Sequence, residues 1–116
     1  MRYQGGCHCG RIAFEVEGEL DSVIECNCSI CSQRGYLLWF VDRQDLKLLT
    51  SQENLSTYTF NQHKIKHRFC SNCGCGPFGE GEDPASGKKM AAINVRSLRN
   101  VDFSQLKRHA FDGKRL

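Results

Sequence analysis

Seven of the chain's cysteines fall into three short clusters, and this pattern constrains the fold more than any other feature. The clusters are Cys7-His8-Cys9, Cys26-Asn27-Cys28-Ser29-Ile30-Cys31 and Cys70-Ser71-Asn72-Cys73, and an eighth cysteine, Cys75, follows the third. Disulfides are one reading, but a bridge across a CxC is strained. The start, Met1-Arg2-Tyr3-Gln4-Gly5-Gly6-Cys7, lacks the apolar stretch of a secretory signal. The expected location is therefore a reducing cytoplasm, where clustered cysteines read as metal ligands or catalytic thiols. A chain of 116 residues is expected to form one domain spanning 1–116. At that size a metal still adds useful stability.

Phe69-Cys70-Ser71-Asn72-Cys73-Gly74 has the shape of a zinc knuckle. Two thiolates converge on one ion, and a glycine lets backbone N–H groups approach the sulfurs. A structural zinc takes four ligands in a tetrahedron, so the knuckle needs a second pair. Cys7 and Cys9, flanked by Gly5, Gly6 and Gly10, are the natural partners. Their binding free energy would count largely as folding free energy. Cys26, Cys28 and Cys31 differ, because three thiolates within six residues can hold one ion locally. Three protein ligands and one open position is the pattern of a catalytic zinc. Closure of that site by Cys75 or a histidine, a purely structural second zinc, and an iron–sulfur cluster are the alternatives.

Elsewhere the chain reads as strands. In Arg11–Glu17, Ile12, Phe14 and Val16 alternate with mostly charged residues, the period-two pattern of a half-buried strand. Leu20–Cys26 is a weaker strand. Tyr36–Val41 is a continuous apolar run, expected to be buried on both faces, with Trp39 and Phe40 in the core. Lys47–Thr50, Leu55–Phe60, Ile65–Phe69, Lys88–Arg96 and His109–Phe111 are further short strands. Helix is limited to single turns at Ser29–Arg34 and Asp102–Leu106. Many short strands separated by turns predict an antiparallel all-β domain. No apolar run approaches the ~18 residues of a membrane span.

The clusters and their flanks resemble the glutathione-dependent formaldehyde-activating enzyme family, to which centromere protein V is related. The likeness lies in Gly6-Cys7-His8-Cys9-Gly10, Cys26-Asn27-Cys28-Ser29-Ile30-Cys31 and Phe69-Cys70-Ser71-Asn72-Cys73-Gly74. It continues in Pro77-Phe78-Gly79 and Asn94-Val95-Arg96. The resemblance implies a zinc-stapled β-tent fold. It implies two zinc ions per chain, a structural one on Cys7, Cys9, Cys70 and Cys73 and a catalytic one on Cys26, Cys28 and Cys31. The implied reaction condenses formaldehyde with glutathione to an S-hydroxymethyl adduct, a carbon–sulfur lyase reaction in its reverse sense.

Three thiolates make zinc a weak Lewis acid toward water but a good site for a soft fourth ligand, above all another thiol. Coordination would supply that thiol as thiolate at neutral pH, so the cysteines act as ligands and not nucleophiles. A tripeptide thiol such as glutathione carries two carboxylates, which suit arginine. Arg34 and Arg96 are the candidate contacts, set against the reading that each is a solvated surface charge. His8 sits between two ligands, but alternation turns its ring away. His63, His67 and His109 are candidate proton carriers, and His67, alternating with Ile65 and Phe69, equally reads as a core-edge residue. An aromatic near Cys31 would wall the pocket.

The competing functions are a non-catalytic zinc-binding interaction module and a thiol redox or metal-handling protein. The formal charge of +3 and the basic group Lys64–Arg68 would motivate a nucleic-acid partner. A four-thiolate zinc adds about −2 and a three-thiolate zinc with water about −1, so the loaded chain is near neutral. That weakens the nucleic-acid reading, and the partners implied by the resemblance are a small-molecule thiol and aldehyde.

Overall fold

In the computed structural model, which describes residues 1–99 and 101–113, ten strands form two sheets. The smaller sheet has the order β1-β2-β5. It is built from β1 (Arg2–Gly6), β2 (Ala13–Glu17) and β5 (Leu46–Leu48), all antiparallel. The larger has the order β10-β3-β4-β9-β8-β7-β6. Its members are β3 (Ser22–Cys26), β4 (Leu38–Asp42), β6 (Leu55–Tyr58), β7 (Lys66–Cys70), β8 (Phe78–Glu82), β9 (Lys89–Asn94) and β10 (Lys107–Phe111). The fold is all-β, as the sequence predicts, with a single α-helix, α1 (Ser29–Arg34), among the described residues. Phe103–Gln105 forms a single 3-10 turn within the second expected helical segment. No helix among the described residues is long and apolar enough to cross a membrane.

The alternating segment behaves as its pattern dictates. Ile12, Phe14 and Val16 are buried, and Phe14 and Val16 face the larger sheet. There they join Val23, Trp39, Val41, Phe78, Ala91 and Ile93 in one apolar core. Two edge-on aromatic pairs lock the layers: Phe14 on Phe78 with centroids 5.9 Å apart, and Tyr3 on Trp39 at 5.5 Å.

Two expectations change. The run Tyr36–Val41 is not buried on both faces, because Phe40 is 52% exposed while Trp39 and Val41 are covered. The smaller sheet covers one side of β4, and on the other side Phe40 lies beside Ala92 and Gly79 in the cross-strand row. The antiparallel expectation also fails at one edge. β10 pairs with β3 in parallel, with Lys107 opposite Ser22 and Phe111 opposite Cys26. β1 and β8 were not recognised in the sequence, since glycines interrupt both (Gly5, Gly6, Gly79, Gly81) and erase the apolar alternation.

Candidate functional site

Cys7 follows β1 and Cys70 ends β7, so the first cluster forms where the two sheets meet. The sulfurs of Cys7, Cys9, Cys70 and Cys73 all lie within 4.8 Å of one another. Cys9 Sγ is 3.6 Å from both Cys7 Sγ and Cys70 Sγ. Backbone amides point at the sulfurs, as a knuckle requires. The Ile12 N–H donates to Cys7 Sγ at 3.2 Å, and the Asn72 and Cys73 N–H groups donate to Cys70 Sγ at 3.4 Å. Gly74, at φ +81°, makes the turn that a side chain would strain. Burial pushes the Cys7 thiol up to about 11, whereas N–H groups of Cys75 and Cys9 draw Cys73 down to about 5. A dication held among them would let all four ionise.

The second cluster is local. Cys26 ends β3, Cys28 is the N-cap of α1, and Cys31 lies inside the helix. Their three sulfurs also lie within 4.8 Å of one another. The Cys28 N–H donates to Cys26 Sγ at 3.4 Å. Ile30 and Tyr36 are buried against Cys31, with Leu38 and Phe60 packed alongside. α1 ends at Gly35, in the left-handed region at φ 69°, whose N–H donates to Cys31 O at 2.9 Å. Burial raises Cys31 far above the ordinary thiol range, and the adjacent Cys28 and Cys26 raise it further. Burial likewise lifts Cys26. Burial pushes Cys28 up too, but hydrogen bonds from the first turn of α1 leave it lowered overall.

No fourth His, Cys, Asp or Glu joins this group among the described residues. The closures left open by the sequence are therefore not seen. Cys75 lies with the other cluster, its carbonyl accepting the Cys70 N–H at 3.0 Å, and His8 is exposed and outside both groups. Both donor sets are all-sulfur and fit a soft or borderline ion such as zinc.

The two arginines part company. Arg34 Nη1 donates to the Tyr36 hydroxyl at 2.8 Å, and its guanidinium lies 5.7 Å from the Phe69 ring centroid. It lines a cavity of about 260 Å³ with Ser29, Ile30, Gln33, Tyr58 and Phe60. Residues 29, 30, 33 and 34 lie along one stripe of α1. Arg96 is not in that cavity. Its Nε donates to the Gly35 carbonyl at 3.0 Å, and its guanidinium sits 5.0 Å over Phe103. His67 is half-buried and stacked on Phe60 at 5.5 Å; burial first, then the Arg34 charge, lowers its pKa. His63 is hydrogen-bonded to Thr59 Oγ1, and His109 is exposed on β10. Arg68, from the basic group, turns to Glu80 at 2.9 Å, so that group does not present one basic face.

Tyr36 and Phe60 are the site residues that sequence reasoning missed as individuals. The expectation of an aromatic wall near Cys31 named no residue, and the helix C-cap brings Tyr36 back onto Cys31.

Fold and site together define a class: an all-β protein with two cysteine groups, one of four thiols and one of three, each arranged to hold a metal ion. The model of the family described as glutathione-dependent formaldehyde-activating enzyme matches residues 2–111, and the chain belongs to that family. A crystal structure of a Rhodobacter sphaeroides protein, solved as a structural-genomics target, is similar with a TM-score of 0.77 and 29% sequence identity. The match covers 94% of this chain and 100% of that one.

Proposed function

We propose that this chain is a zinc-dependent enzyme of the carbon–sulfur lyase type, joining glutathione or a similar thiol to formaldehyde or another small aldehyde as an S-hydroxymethyl-type adduct. In this reading Cys7, Cys9, Cys70 and Cys73 hold a structural zinc, and Cys26, Cys28 and Cys31 hold the catalytic one. One domain spanning 1–116 and a cytoplasmic location belong to the same proposal. The observation that carries it is the contrast between the clusters among the described residues: four convergent thiols in one, three and no further ligand in the other.

A zinc ion bound by the three cysteines would supply a soft Lewis acid that holds a thiol as thiolate at neutral pH. The chain's own residues do the rest. Ile30, Tyr36, Leu38 and Phe60 exclude water on the protein side of the cysteines. Arg34 makes no ion pair among the described residues and is the proposed contact for a substrate carboxylate. In this reading one molecule places its sulfur at the cysteines and a carboxylate at Arg34. Arg96 supports α1 through Gly35 and is the second proposed contact, at the helix end.

Metal content per chain, measured beside turnover, tests this. The expected result is two zinc ions in the wild type, and one in a folded Cys31→Ser variant without activity. Undiminished turnover in Cys31→Ser overturns the proposal.

A further inference from the structure

The residues that hold the three-cysteine group together do not all come from its own segment. β3, the strand that ends at Cys26, pairs with β10 over five residues, whereas its register against β4 is set at Ile24 opposite Leu38. The last pair of the β3–β10 ladder is Cys26 with Phe111. Just beyond it the Asn27 N–H donates to Phe111 O at 3.1 Å, and Asn27 Nδ2 donates to Asp112 Oδ1 at 2.9 Å. At Gly113 a Cβ would stand 2.5 Å from Cys26 Sγ and 3.2 Å from Cys28 Cβ. Backbone therefore lies directly against the Cys26 sulfur and the Cys28 side chain, and any side chain at 113 would force Cys26 Sγ to move.

From this we infer that the Phe111–Gly113 segment is a clamp that sets the ligating geometry of Cys26 and Cys28, with Asp112 and Gly113 as positioning residues. The inference rests on the reading that Cys26, Cys28 and Cys31 bind metal. Physically, Cys28 and Cys31 are placed by α1, but Cys26 lies across the strand-to-helix turn and needs its own anchor. β10 provides that anchor from more than 80 residues downstream, through the Asn27–Asp112 bond. Partners that orient metal ligands typically change affinity by about 10- to 100-fold when removed.

The test is zinc affinity at each site of the full chain, read by competition with a chromophoric chelator. Wild type, Gly113→Val, Asp112→Ala and Asp112→Asn are compared. The expected result is a second ion weakened about 10- to 100-fold in Gly113→Val and Asp112→Ala, with the first ion and the thermal midpoint retained. Asp112→Asn, which keeps an oxygen acceptor for Asn27, should behave as wild type. Wild-type affinity at both sites in Asp112→Ala and Gly113→Val overturns the inference, as does equal weakening of both ions. Should Gly113→Val not fold, Asp112→Ala decides alone, because Asp112 is on the surface. A wild type that binds a single ion overturns instead the functional reading on which the clamp rests.

Discussion

Glu80 shows how much one half-buried residue can organise. Its carboxylate receives Arg43 Nε at 2.7 Å and Arg68 Nη1 at 2.9 Å, and Arg68 Nε is buried with no hydrogen-bond partner of its own. Glu80→Ala would leave two guanidinium groups facing each other under β8. We expect a loss of about 2 kcal/mol in urea unfolding, less than the about 3–5 kcal/mol of a fully buried pair because the site is partly wet. His67 makes a pH prediction. Its pKa is lowered in the folded chain, so folding favours the neutral ring. That contribution is complete above the unfolded value of about 6.5 and disappears as pH falls through the lowered one. His67→Gln should therefore flatten the decline of the thermal midpoint below about pH 6.5, and an unchanged slope would refute the assignment. Alternation with Phe69 made the core-edge position of His67 legible, but its partners were not. Phe60 and Arg34 reach it from other parts of the fold.

At the scale of elements, period-two alternation carried the most information. It placed Ile12, Phe14 and Val16 on the buried face of β2 because a strand needs only local geometry to sort its faces. Phe14→Ala should cost about 3–5 kcal/mol by the cavity it opens against Phe78, measurable by denaturant titration. β1 was illegible for the converse reason: its glycines are fixed by what approaches them. Gly5 is covered by Phe14, with a Cβ there standing 2.5 Å from Phe14 Cζ and 2.8 Å from the Ser97 carbonyl. Gly5→Ala should lose about 1–3 kcal/mol by overpacking, whereas Gly81→Ala, which would meet Ile65 at 3.6 Å, should lose far less. Equal effects in the two variants would contradict this packing. Tyr36–Val41 misled in the opposite direction, since an apolar run says that a strand is apolar but not whether a second layer covers it.

For the whole molecule, the first cysteine group joins the end of the N-terminal strand to a knuckle more than 60 residues away, and so ties the smaller sheet to the larger. Chelation, or Cys70→Ser, is expected to lower the thermal midpoint sharply, because metal bound only by the folded chain contributes its binding energy to folding. Cys31→Ser should lower it far less, since its group lies within one segment, and equal losses would refute this division. Spacing sorted the cysteines into groups, and the clusters together with their flanks carried the resemblance to the family. Ligands two to five residues apart converge by local geometry, and a knuckle advertises its need for a second pair. Tertiary structure decided what spacing cannot encode. The absence of a fourth ligand beside Cys31 among the described residues, the separation of Arg34 from Arg96, and the closure of β10 over Cys26 all depend on segments distant in sequence. Their meeting is set by the packing of two sheets and leaves no periodic trace along the chain.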